Sequence, residues 1–243
     1  MKFNPTRFWF SLALCAVSLA ICQAQTKLAN NSHAGDAELL VREARKLTSE
    51  WSQPSASQAL RKYEKARSIY AALGDLQKQA VVLLEIGQAQ ETFGEPTAAL
   101  ANYESALDFS RRARSPQLEA AALNRLGFYY IDRSQFDKAF DYGLQAKQLS
   151  LSSGDRENEA RALLLLGMSR YNRRELTEAK DQLGRSLDEF KALGNLSEQA
   201  QVLEMLGHVS HELGNAKEAL KIFTDALELA NQGNDLLTKG KVI

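Results

Sequence analysis

Shifted by forty residues, this sequence falls on itself. Gly87, Gly127, Gly167 and Gly207 coincide, as do Leu83, Leu123, Leu163 and Leu203, and Ala80, Ala120, Ala160 and Ala200. Ile86 aligns with Leu126, Leu166 and Leu206. A second block follows with Ala99, Ala139, Ala179 and Ala219, extended backwards by Ala59. Seven residues further on come Ala66, Ala106, Ala146, Ser186 and Ala226. Four full repeats, 76–115, 116–155, 156–195 and 196–235, run without an insertion, behind a worn copy at 37–75. A fixed period of this size marks an architecture in which each unit cannot bury its apolar face alone and stacks on its neighbours.

Each unit reads as two helices. In the third, the spacing predicts a first helix over about 116–132 and a second over about 135–151. Gly74-Asp75, Gly154-Asp155 and Gly194-Asn195 place a helix-ending glycine directly before a capping Asp or Asn. Ser115-Pro116 joins a capping serine to a proline suited to the first helical position. Glu198, three residues after Asn195, completes a variant of the capping box. The turns within a unit, such as Leu213-Gly214-Asn215, are short and force antiparallel pairs. Gly127 interrupts a helix at a propensity cost of about 1 kcal/mol. Its place beside Leu123, Leu126 and Tyr130, opposite Ala139, Gly143 and Ala146, predicts close approach of the two helices of its own unit.

The amino terminus reads differently. Lys2 and Arg7 precede an apolar run from Phe8 to Ile21, and Cys22-Gln23-Ala24 presents small residues before Gln25. This is the layout of a cleaved secretory signal, residues 1–24, too short for the ~20 residues of a membrane span. A polar linker is expected at 25–36. The only cysteines, Cys15 and Cys22, lie in the signal. The remaining chain therefore has no disulfide and no thiolate chemistry, and export to the periplasm or outside the cell is expected. Lys plus Arg equal Asp plus Glu at 30 each, which gives no electrostatic footprint for nucleic acid.

The repeat pattern resembles the tetratricopeptide repeat. Counted from Ala120, Leu123, Leu126, Gly127, Tyr130, Ala139 and Ala146 fall on motif positions 4, 7, 8, 11, 20 and 27, and Tyr103 and Phe223 fall on the aromatic position 24. Gly143 and Leu183 depart from it at 24, and Gln90, Arg170 and Ser210 at 11. The period exceeds the usual 34 residues and is similar to the longer class of kinesin light chains, MalT-type regulators and bacterial proteins with a CHAT domain. The resemblance implies an all-α, right-handed superhelical solenoid that binds a protein or peptide partner in a concave groove lined by the first helix of each repeat. Carried onto this chain, the groove positions are Leu84, Gln88 and Glu91 in the second repeat and Asn124, Phe128, Ile131 and Asp132 in the third. The fourth contributes Arg161, Leu164, Met168, Tyr171 and Asn172, and the fifth Glu204, His208, His211 and Glu212. Asn124 can offer both donor and acceptor to a peptide backbone. Phe128, Ile131, Met168 and Tyr171 suit apolar side chains. The same residues are also placed to pack one first helix against the next.

Glu204, His208 and His211 share one helical face. Three ligands from one straight helix do not converge on a tetrahedral ion, so no metal and no cofactor is expected. No phosphate loop or nucleophile motif is present, and no catalysis is expected. After Asp235 the chain starts a further helix, 236–243, too short to cover Leu220, Phe223 and Leu227. That leaves two expectations: a piece of a longer protein, or self-association through this end. The functional expectation is an exported partner-binding scaffold. The alternatives are the regulatory portion of a larger enzyme, such as a CHAT-type peptidase, and a structural spacer in an envelope assembly.

Overall fold

The structure, a computed structural model, describes residues 32–49 and 53–232, which are α-helical apart from short turns. The expected signal and the expected helix start at 236–243 lie outside the described residues. The helices are α1 (32–48), α2 (Gln53–Ala72), α3 (Leu76–Thr92), α4 (Pro96–Arg112) and α5 (Pro116–Ile131). They continue as α6 (Phe136–Ser153), α7 (Arg156–Asn172), α8 (Leu176–Leu193), α9 (Leu196–Glu212) and α10 (Ala216–Gln232). Residues 32–36 are helical where the sequence suggested linker. None of the described helices is long and apolar enough to cross a membrane.

The caps form as their chemistry requires. The side chains of Asp75, Ser115, Asp155 and Asn195 each accept the backbone N–H three residues on, opening α3, α5, α7 and α9. Glu198 does not complete the box at Asn195, because its carboxylate is held by Arg161 of α7 instead. Gly74, Gly154 and Gly194 take left-handed backbone with φ between 68° and 69°. The equivalent position of the second repeat holds Arg114, which adopts φ 52° without a glycine's freedom.

The helices pair as α3–α4, α5–α6, α7–α8 and α9–α10, and each second helix also packs on the next first helix. Ala37, Val41 and Ala44 of α1 share a cluster with Ala59, Tyr63, Ala66 and Tyr70 of α2 and Val82, Ile86 and Ala89 of α3. The two helices of the worn first copy thus share one core with α3. First helices are enclosed on several sides and second helices on one. In α7 the consecutive Leu163, Leu164, Leu165 and Leu166 are all no more than 2% exposed, each burial contributing about 1.5–3 kcal/mol. In α6 only the stripe Ala139, Gly143, Ala146 and Ser150 is buried. The buried hydroxyls stay bonded: Ser150 Oγ donates to the Ala146 carbonyl and Ser186 Oγ to the Ala160 carbonyl, both at 2.8 Å.

The repeated glycine is a socket for a bulky side chain rather than a point of backbone contact. A Cβ on Gly87 would lie 2.7 Å from Tyr103 Cδ1, one on Gly167 2.6 Å from Leu183 Cγ, and one on Gly207 2.7 Å from Phe223 Cδ1. In these three repeats the plug comes from the second helix of the same unit. The third repeat has no such plug, because Gly143 occupies that place. Its Gly127 socket is filled from the next unit: a Cβ there would overlap Leu165 Cδ2, with Leu165 Cγ 3.1 Å away. The same leucine reaches to 3.4 Å from a Cβ on Gly143, and Leu166 to 3.1 Å. The close approach expected between α5 and α6 is thus an interlock of α5 and α6 with α7.

Candidate binding groove

Consecutive first helices touch each other, α3 with α5, α5 with α7 and α7 with α9. No comparable contact joins consecutive second helices among the described residues. A double layer whose one sheet of helices is closer together curves towards that sheet. The first helices therefore line the inner face.

Two rows of equivalent positions run across it: Gln88, Phe128, Met168 and His208, then Glu91, Ile131, Tyr171 and His211. Phe128, Met168 and Tyr171 are half-buried against one apolar cluster that contains Leu164, Leu183, Val202 and Leu206. The Tyr171 ring lies 6.5 Å from that of His208, which meets Phe223 edge-on at 5.1 Å. Ile131 and His208 are half-buried and His211 is exposed. These side chains form a partly open apolar and aromatic strip along α5, α7 and α9.

Four of the expected groove residues are placed otherwise. Leu164 is fully enclosed and is core. Asn124 is 2% exposed, and its Nδ2 donates to the Asn158 carbonyl at 3.0 Å, fastening α5 to the first turn of α7. Its Oδ1 is enclosed without a hydrogen bond. The donor and acceptor offered to a peptide are therefore withdrawn into the joint between repeats. Arg161 forks its Nε and Nη2 onto Glu198 Oε1 at 3.0 and 2.9 Å and pairs with Glu157 at 2.8 Å. Glu204 is 7% exposed, with Oε1 3.8 Å from His208 Nε2. Asn124, Arg161 and Leu164 thus face the next repeat rather than the open groove. Among the described residues no group of three or more His, Cys, Asp or Glu is placed to hold a metal ion.

The other end of the inner face carries polar machinery. Tyr103 Oη donates to Glu91 Oε2 at 2.7 Å. Burial holds the Glu91 carboxyl above the usual range, with Asp132 adding to it and the bond from Tyr103 opposing it. Between α1 and α3 lie cavities of about 320 and 290 Å³, in the region of Tyr70, Tyr63 and Arg45. The sequence reading assigned nothing there.

No curated protein matches the chain. A tetratricopeptide-repeat family model matches residues 200–232. Among solved structures the chain is similar to aspartyl phosphate phosphatase F from Bacillus subtilis, at 12% identity and a TM-score of 0.67, over 93% of this chain and 58% of that one. It is also similar to the Rap conjugation gene regulator of the plasmid pLS20 in complex with the Phr* peptide, at 19% identity and a TM-score of 0.69, over 84% of this chain and 55% of that one. The nearly identical repeats of a kinesin light chain-like protein from Podosopora anserina match at 13% identity and a TM-score of 0.60, over 83% of this chain and 98% of theirs. Identities this low speak to the fold alone, and the chain spans little more than half of the first two proteins. The family match in the fifth repeat, the same residues recurring at the same interval through the other repeats, and the stacked hairpins agree: the fold is that of a tetratricopeptide-like helical repeat solenoid.

Proposed function

We propose that this chain is an exported scaffold that binds an extended peptide or protein segment along its inner face and carries no catalysis of its own. The observation that carries the reading is the strip of Phe128, Ile131, Met168, Tyr171 and His208, half-open on the side towards which the stack curves. Apolar side chains of a partner fit such a strip, and exposed polar atoms at its margin, such as those of His211 and Asn172, suit a peptide's polar groups. The likeness to a Rap regulator solved with a peptide supports the same use of the fold. Export rests on the signal-like first 24 residues. The forty-residue period aligns the chain with the longer-helix class of tetratricopeptide proteins.

Peptides selected from a display library on the full chain provide the test. Selected peptides are expected to slow hydrogen exchange in α5, α7 and α9 and to bind at least tenfold more weakly to Tyr171→Ala. Protection confined to the second helices, or full binding by Tyr171→Ala, refutes the groove. Amino-terminal sequencing of the secreted product tests the export reading, with Gln25 expected as the first residue.

A further inference from the structure

The second helices α2, α4, α6 and α8 each pack on the first helix that follows, whereas α10 packs on α9. The face that meets the next unit in earlier repeats is therefore open on α10 among the described residues. Two positions tell what such a face is built for. Leu187 of α8 is 8% exposed, in a cluster with Val202 and Leu206 of α9. Phe140 of α6 lies under the guanidinium groups of Arg170 and Arg173, 5.1 and 4.8 Å from its ring centre. The equivalent residues of α10 are Leu227 and Leu220. Leu227 is only half-buried, and Leu220 is 69% exposed, the most of any large apolar side chain among the described residues.

The helical period sets Leu220, Thr224, Leu227 and Asn231 along one side of α10, the spacing of a seam between packed helices. Thr224 and Asn231 are short and exposed, which lets another helix come close. Lys217 and Glu228 are both exposed and edge this seam on the same flank, about 16 Å apart along the helix. Neither makes an ion pair among the described residues. Glu218 is turned the other way, towards α8, where its Oε1 lies 3.0 Å from Lys180 Nζ. The seam thus carries a free positive charge beside its first leucine and a free negative charge beside its second.

We propose that this face binds a second copy of itself, with two α10 helices antiparallel about a twofold axis near Thr224. In that arrangement Leu220 meets the partner's Leu227 and Lys217 meets the partner's Glu228, and twofold symmetry makes each contact twice. Charge sets the direction: a parallel pair would bring lysine to lysine and glutamate to glutamate. The two leucines of each copy leave water together, and the closed pair has no seam left to recruit a third copy. The contact belongs to the outer layer of helices and leaves the inner strip free, so it stands or falls independently of the peptide reading.

Sedimentation velocity of the full chain across the micromolar range tests the pairing. A dimer and no larger species is expected. Leu220→Lys, an exposed change, is expected to give a monomer with unaltered helical circular dichroism. Lys217→Glu and Glu228→Lys each set like charges against one another and are each expected to weaken dimerisation at least tenfold. Joined in one chain, the two reversals are expected to restore it, which a merely structural role of either residue would not produce. A chain that stays monomeric, the result if its own residues 233–243 or a different protein take the face, overturns the proposal. So does a dimer that survives Leu220→Lys, growth beyond a dimer, or a double reversal no better than either single change.

Discussion

The plug exchanged between repeats predicts a mutation whose effect changes sign with its neighbour. Gly127→Ala places a methyl on Leu165 Cδ2, and Leu165 is 0% exposed. The leucine cannot swing towards Gly143, because Leu166 already reaches to 3.1 Å of the space above that glycine. Overpacking a filled core costs about 1–3 kcal/mol. Replacing a mid-helix glycine by alanine returns about 1 kcal/mol of propensity. The expected net loss is about 0–2 kcal/mol. Leu165→Ala alone empties the socket and costs about 2–5 kcal/mol. In that background the new methyl enters vacated space. It gains the propensity of about 1 kcal/mol together with about 0.8 kcal/mol for one buried carbon. Gly127→Ala is then stabilising by about 1–2 kcal/mol, and the coupling is about 1–4 kcal/mol, above the error of such cycles. Urea unfolding of the four proteins, followed by circular dichroism and fitted with a shared slope, measures it. An equal effect of Gly127→Ala in both backgrounds would refute the interlock.

Further outcomes follow from the same geometry. Gly184, within α8, has nothing within 4 Å of an added Cβ, so Gly184→Ala is expected to stabilise by about 0.5–1 kcal/mol in the same assay, in contrast to Gly127. Arg114→Gly relieves a left-handed backbone where three other repeats use glycine and is expected to gain about 0.5–1 kcal/mol; a loss in thermal unfolding would show that the arginine is needed for something besides the turn. The Glu91 carboxyl is raised by burial, so the folded state bears the cost of its charge above that raised value and is relieved of it as pH falls below the ordinary carboxylate range. Glu91→Gln keeps an acceptor for Tyr103, and is expected to raise the melting temperature at pH 7 by an amount that vanishes near pH 4; a constant difference across that range would refute the burial argument.

The architecture was readable in the sequence because its determinants repeat. Any one of Gly87, Leu123 or Ala179 is weak evidence, but their forty-residue recurrence fixes the hairpin, its caps and its buried stripes. The role of Gly127 was half legible. Its need for a large neighbour followed from helix propensity, but the donor of that neighbour did not. Gly143 at the usual plug position marked the vacancy, and nothing local to the third repeat pointed to Leu165, whose equivalents are Glu85, Arg125 and Met205. The groove was less legible for a geometric reason. Residues on one helical face meet the inner surface at one depth and the next repeat at another, so Phe128 stays half-open while Asn124 and Leu164, four residues before Phe128 and Met168, close into the joint.

The leucine that crosses from α7 into the Gly127 socket also sets where this array can be cut. Separation after residue 115 or 195 keeps every socket with its plug: Tyr103 stays with Gly87, Leu165 with Gly127, Leu183 with Gly167 and Phe223 with Gly207. Separation after residue 155 would leave the third unit with an open socket and hand the fourth a leucine with nowhere to go. The units that look interchangeable by period are therefore not interchangeable by swap: the third and fourth behave as one indivisible block, and any shuffled or shortened array must carry them together.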